Sequence, residues 1–229
     1  MAEFGKISFS ARFAQRLKSD LDCIGKDRRT SKMIKQTTGR FQSHGGCVSP
    51  EHVAAVVNLF LTPRFVRSDM KYIADFGCGV GQVVLTLAHR FGQVPVYGID
   101  NDSSRLHLLR KRVEDFKDES FDFDNIIAVD CDWTKTSEDR LRWGFLDKVG
   151  FIFYNNINLS GDPDEFFERV VEKYVKPGTV IVCYERLFRG DRSHLVKETI
   201  HETTVDSDDF SWLIREKQIK LFRYERVHD

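Results

Sequence analysis

From residue 71 to residue 184, short apolar runs alternate with longer stretches whose apolar residues recur at helical spacing, the pattern of a parallel sheet with crossover helices. An apolar strand opens at Tyr72 and passes through a glycine-rich turn into a helix from about Val80. Further strands are predicted at 94–99, 126–129, 149–154 and 179–184. Between them, Asp102 or Ser103 caps a helix through Val113, Thr136 starts a short helix to about Trp143, and Asp162 opens one with Phe166, Val170, Val171 and Tyr174 on one side. Ahead of the first strand, Ser49, Pro50 and Glu51 read as N-cap, first helical residue and first-turn acid of a helix to about Leu61, with Val53, Val56, Val57 and Phe60 as its buried stripe and Pro63 as its stop. Segments 201–205 and 217–227 read as two late strands, which fits a sheet finished by an antiparallel hairpin. Two domains of unequal size follow from this pattern: a basic N-terminal extension over 1–46 with one docked helix (Phe9, Phe13, Leu17, Leu21), and an α/β domain over 47–229.

The turn after the first strand reads Asp75-Phe76-Gly77-Cys78-Gly79-Val80-Gly81-Gln82. Glycines at alternate positions let the backbone bend sharply and approach a guest closely, while the following helix aims its free N–H groups at the same place. The dinucleotide fingerprint wants glycines at relative positions 0, 2 and 5, whereas here the third falls at position 4. That pattern resembles motif I of the Rossmann-like class I S-adenosylmethionine methyltransferases, in which the turn cradles the methionine end of the cofactor. Asp100 ends the second strand 19 residues beyond Gly81, near the offset at which an acid accepts ribose hydroxyls in nucleotide-binding α/β folds. Asp132 and Trp133 follow the third strand, offering a carboxylate for an adenine amino group and an indole to stack on its ring. A core tryptophan fits the sequence equally well.

Charge changes the picture only locally. Lys+Arg and Asp+Glu balance at 35 each, so net charge gives no reason to expect a polyanionic partner. Residues 1–46 nevertheless hold ten Lys or Arg against four Asp or Glu, a local excess of +6. This reads as a solvated extension or as a basic arm touching DNA or an acidic surface. Five cysteines, widely spaced and without a Cys-x-x-Cys, argue for reduced thiols and against a zinc site. No apolar run approaches a membrane span and no secretory pattern opens the chain, so no membrane partner is expected.

The fourth strand ends in Phe153-Tyr154-Asn155-Asn156. It shows neither the prolines expected of base-amine methyltransferases nor the paired glutamates of arginine enzymes. Together with Asp75 to Val84, Gly98 to Asp100, Asp132-Trp133 and Ser211-Trp212, this stretch resembles the Dot-one (disruptor of telomeric silencing) family of Rossmann-like histone lysine methyltransferases. The resemblance implies that Asp75, Phe76, Gly77, Cys78, Gly79, Gly81, Gln82, Asp100, Asp132, Trp133 and Asn155 bind S-adenosylmethionine, released as S-adenosylhomocysteine. It implies that Asn155 and Asn156 line the point of transfer and that Phe153 and Trp212 wall a lysine channel, with Phe222 or Tyr224 in place of the family's channel tyrosine. The expected activity is methylation of a lysine of nucleosomal histone H3, which entails a chromatin regulator in the nucleus. The alternatives are methyl transfer to a non-histone protein or small molecule, and a non-catalytic S-adenosylmethionine-binding chromatin scaffold.

Overall fold

The computed structural model of the chain describes residues 13, 17, 48–60, 71–117, 121, 123–136, 143–156, 162–205 and 217–227. In order these form α1 (Pro50–Phe60), β1 (Tyr72–Phe76), α2 (Gln82–Phe91), β2 (Val96–Asp100), α3 (Ser103–Lys117), β3 (Ile126–Asp130), α4 (Trp133–Thr136), β4 (Val149–Tyr154), α5 (Asp162–Tyr174), β5 (Val180–Cys183), β6 (Val196–Val205) and β7 (Lys217–Arg226). The strands make one seven-stranded sheet in the order β3-β2-β1-β4-β5-β7-β6. The first five run parallel and β7 enters antiparallel to β5, with β6 as its hairpin partner. This is the expected α/β fold: a Rossmann-like parallel sheet, helices on both faces and a C-terminal antiparallel hairpin.

Alternation along the strands divides the core. In β4, Phe151 and Phe153 join α1, α2 and α3 on one face, while Ile152 and Tyr154 join α4 and α5 on the other. Phe13 and Leu17, the two described residues of the N-terminal extension, are helical and buried in the first cluster, where Phe13 stacks on His89 with ring centroids 4.0 Å apart. The expected boundary between residues 46 and 47 lies outside the described residues.

Local signals placed several ends correctly. Ser49 Oγ accepts the His52 N–H at 3.0 Å, as an N-cap should. Asp102 Oδ1 accepts the N–H groups of Ser104 and Arg105, so Asp102 caps α3 and Ser103 is its first residue. Three boundaries differ by more than two residues. Helix α3 runs past Val113 to Lys117, because Phe116 continues the Leu109 stripe into the aromatic group of Phe13, Phe121 and Phe123. The helix expected from Thr136 forms earlier, as α4, and positions 137–142 lie outside the described residues. Strand β6 begins at Val196 instead of position 201, since an edge strand exposing Lys197, Thr199 and Ile200 carries no apolar period to read.

Candidate functional site

The strand order reverses between β1 and β4, and in open α/β sheets ligands bind beyond the carboxyl ends of the strands at such a reversal. The glycine turn hangs there. Gly77, Gly79 and Gly81 have φ of 76°, 54° and 83°, all left-handed conformations that favour glycine. Gly81 is needed twice over, because a Cβ there would lie 2.2 Å from Leu109 Cδ1 of α3. At Gly79 a Cβ would meet nothing within 4 Å, so the backbone faces open space. The turn is pinned from behind: Ile99 O accepts the N–H groups of Gly77 and Cys78 at 2.8 and 3.0 Å. Asp100 Oδ2 accepts the Gly79 N–H at 2.8 Å and Oδ1 the Asp102 N–H at 2.9 Å.

Asp75 sits beneath this turn with 1% of its surface exposed, and its Oδ2 has no hydrogen-bond partner within the protein. Burial, aided by the nearby Asp100 carboxylate, pushes its pKa well above the ordinary value. Burial also raises Asp100, against the pull of Arg105 and of its two backbone donors. Two carboxylates flanking a glycine turn oppose a phosphate and suit a guest carrying positive charge. S-adenosylmethionine, with its sulfonium and ammonium groups, fits that requirement, and the orphaned Asp75 oxygen is the atom that would meet it.

One residue here escaped the sequence reading. Arg112 of α3 is 3% exposed; it donates to Val80 O at 2.6 Å and to Gln82 Oε1 at 2.9 Å, bracing the turn from the neighbouring helix. The signal was a charged residue in line with the Arg105, Leu109 and Phe116 stripe. Gln82 is thereby turned into the core, its Nε2 buried without a partner.

The other expected cofactor residues divide. Phe76 is fully buried among Trp133, Trp143, Tyr154 and Phe167, and Cys78 is 7% exposed, its thiol raised by burial and by Asp100 and Asp75. Trp133 is 7% exposed and packs edge-on against Phe76 and Tyr154, behind Gly77. It is a core tryptophan, not an open stacking platform. Asp132 begins α4: Oδ1 accepts the N–H and hydroxyl of Thr134, and Oδ2 pairs with Lys135 at 2.9 Å. Although burial pulls its pKa up, those donors pull it below the ordinary value.

At the end of β4 the structure corrects the expected lysine channel. Phe153 is fully buried on the α1 face and meets Tyr184 edge-on. Asn156 is also fully buried. Its Oδ1 accepts the Tyr184 and Glu185 N–H groups at 3.1 and 2.9 Å, and its amide reaches Glu185 O and Asp164 Oδ1. With two acceptor and two donor positions engaged, it clamps the end of β4 to the end of β5. Tyr224 is fully buried, its hydroxyl bonded to both Leu187 N–H and Leu187 O, and Phe222 lies in the same core. Asn155 is half-buried beside the clamp. Trp212 lies outside the described residues. Beside Asn156, Tyr154 Oη donates to Asp164 Oδ1 at 3.0 Å. Burial, with the Glu185 and Glu168 carboxylates behind it, raises the Asp164 pKa to about 6 against those hydrogen bonds.

Among the described residues no group of His, Cys, Asp and Glu could hold a metal ion, and no helix is long and apolar enough to cross a membrane. Cys78, Cys131 and Cys183 are free thiols, all buried.

A family model described as a methyltransferase domain matches residues 67–219, two thirds of the chain. A tRNA (guanine-N(7)-)-methyltransferase of Arabidopsis thaliana is 27% identical over 113 residues, 46% of this chain and 44% of that protein. TrmN from Thermus thermophilus superposes with a TM-score of 0.54 at 18% identity, over 79% of this chain and 49% of the other. An RNA methyltransferase from Salinibacter ruber in complex with S-adenosyl-L-homocysteine gives 0.51 at 15% identity, over 78% and 92%. The chain spans about half the length of the first two. These findings overturn the Dot-one resemblance and the histone H3 lysine read from it, because the family match is to a general methyltransferase domain and the related sequence is named for a tRNA guanine. The chromatin role rested on that substrate and goes with it, and the expectation of nuclear residence loses the support that the substrate gave it.

Proposed function

This chain belongs to the methyltransferase domain family, and from that premise we propose that it transfers the methyl group of S-adenosylmethionine to a base of RNA. S-adenosylmethionine is its cofactor: when bound it supplies an electrophilic methyl on a cationic sulfur. The observation that carries the cofactor reading is the unpaired, buried Asp75 oxygen beside Asp100 under an open glycine turn. Asp75 to Gln82 would hold the cofactor's methionine end, Asp100 would order the turn through Gly79 and face the ribose, and Asn155 would stand beside the transferred methyl. Asn156 would act as a positioning residue, fixing Asn155 through the β4–β5 clamp.

RNA as the acceptor is supported by the 27% identical relative, named for methylation of a tRNA guanine. A ring nitrogen of a base is uncharged at neutral pH, so its lone pair attacks without the roughly 4–5 kcal/mol needed to deprotonate a lysine of pKa about 10.4. The protein then needs mainly to align acceptor, methyl and sulfur. The ten bases against four acids in residues 1–46 would add sequence-independent attraction to phosphates that weakens with salt. A second reading, a small-molecule or non-histone protein acceptor, draws on the overall charge balance of 35 against 35, which provides no global field for a polyanion. Incubation with tritium-labelled cofactor, total RNA, a metabolite extract and a protein extract, followed by digestion and mass spectrometry, tests the proposal. Label in one modified nucleoside is the expected outcome; label confined to small molecules or protein refutes the RNA reading.

A further inference from the structure

A cavity of about 240 Å³ lies between α1 and the β6–β7 hairpin, outside the glycine-turn site. Strand register fixes its level. Cys183, the last residue of β5, pairs with Phe222 of β7, and the neighbouring Leu221 pairs with His201 of β6. Leu221, His201 and Thr203 line the cavity. The hollow therefore opens where β5 stops, at the carboxyl edge of the sheet, and on the acceptor side of the β1–β4 reversal. It is wired to the transfer point: His52, which lines it from α1, stacks on Tyr184 with centroids 5.9 Å apart, and the Tyr184 N–H is held by Asn156, next to Asn155.

Its walls carry chemical information. Val56, Leu59 and Leu221 supply apolar surface, whereas His52, His201 and Thr203 supply ring nitrogens and a hydroxyl. No carboxylate lies among its described lining residues, so nothing there compensates a desolvated ammonium or guanidinium. A flat heteroaromatic ring matches instead, with apolar faces for the aliphatic wall and polar edges for the imidazoles and the hydroxyl. The volume falls below the roughly 300–1,000 Å³ of pockets that enclose drug-sized ligands, which admits one ring system and leaves sugar and phosphate in solvent.

We propose that this cavity seats the base of the RNA nucleotide that is methylated, or the base stacked beside it, as one uncharged heteroaromatic ring. The proposal rests on the RNA reading given above and adds to it a place and residues for the acceptor. His201 and His52 would address the ring edge, and Tyr184 would couple seating of the ring to the Asn156 clamp.

The test uses the full chain, histidine ring-labelled with nitrogen-15 and saturated with S-adenosylhomocysteine. It is titrated with adenosine, guanosine, cytidine and uridine, and with Nα-acetyl-lysine amide as a cationic probe, the His201 signals being assigned from His201→Phe. The ring signals of His201 and His52 should move with at least one nucleoside and stay still with the lysine amide. Ala55→Trp places a bulky ring at an exposed lining position of α1. It should raise the KM for total RNA at least tenfold while changing S-adenosylhomocysteine affinity less than twofold. Histidine signals unmoved by millimolar nucleosides, or moved by the lysine amide alone, overturn the proposal. So does an Ala55→Trp variant that methylates RNA with an unchanged KM; that outcome leaves the RNA reading standing, whereas absence of RNA methylation by the unsubstituted protein removes both.

Discussion

The two sides of the β1–β4 reversal treat their polar groups in opposite ways. On the β1–β2 side, Asp75 keeps a carboxylate oxygen buried and unpaired beside a second carboxylate. On the β4–β5 side, Asn156, Tyr154 and Tyr224 direct their polar atoms at Asp164 and at backbone. An unpaired buried charge costs stability, so it is informative about what the site must bind; a saturated network builds shape, and says little of its ligand. The difference teaches that the cofactor half is read from what is left open, whereas the β4–β5 network shapes the neighbouring half without naming its guest, and the hollow beyond it is lined by other residues, of α1 and the hairpin.

Replacing Asp75 tests this contrast most severely. Asp75→Asn should weaken S-adenosylmethionine binding by about 100-fold, or about 2.7 kcal/mol, while leaving the ligand-free protein as stable or more so, measured by calorimetry and urea unfolding. The pH dependence follows the same logic. The Asp75 pKa is raised above 3.8, so the folded protein holds this proton more tightly than the unfolded chain. Its contribution to ligand-free stability is therefore greatest at low pH and is lost as pH rises through the raised pKa, while cofactor affinity gains over the same window.

Asn156→Ala should behave in the reverse manner. It strands the Tyr184 and Glu185 N–H groups in the interior and should cost about 3 kcal/mol of stability, seen as a lower urea midpoint. Below that midpoint S-adenosylmethionine affinity should change less than turnover does. Equal losses of affinity and turnover would erase the distinction between the two halves.

Arg112→Met removes the brace on Val80 and Gln82 while keeping the buried stem. It should loosen the glycine turn and weaken cofactor binding by about tenfold, about 1.4 kcal/mol, without altering the KM for RNA. The smallest change expected is at Asp164. Its pKa is raised from 3.8 to about 6, so ionisation opposes folding and stability falls as pH rises through that interval. Asp164→Asn should flatten this slope in urea titrations and, if the clamp positions Asn155, remove an inflection near pH 6 from turnover.

How much was legible follows from the range of the interactions. The glycine turn, the Ser49 and Asp102 caps and the strand alternation depend on residues within one or two turns of chain, and local spacing declared them. Arg112 reaches Gln82 across 30 positions, and only its place on an apolar stripe hinted at burial. Phe153-Tyr154-Asn155-Asn156 misled because its residue types suit an aromatic channel, whereas strand alternation sends Phe153 into one core and Tyr154 into the other.

By itself the sequence determined a parallel sheet closed by an antiparallel hairpin, a cofactor turn and the acid at the end of the second strand, since periodicity and backbone conformation are local consequences of side-chain type. Tertiary structure alone decided which polar atoms stay unpaired, that Trp133 and Phe153 belong to cores, and that α1 and the hairpin enclose a hollow beside Tyr184. Burial and pairing are properties of neighbours brought together from distant positions, and no spacing along the chain encodes them.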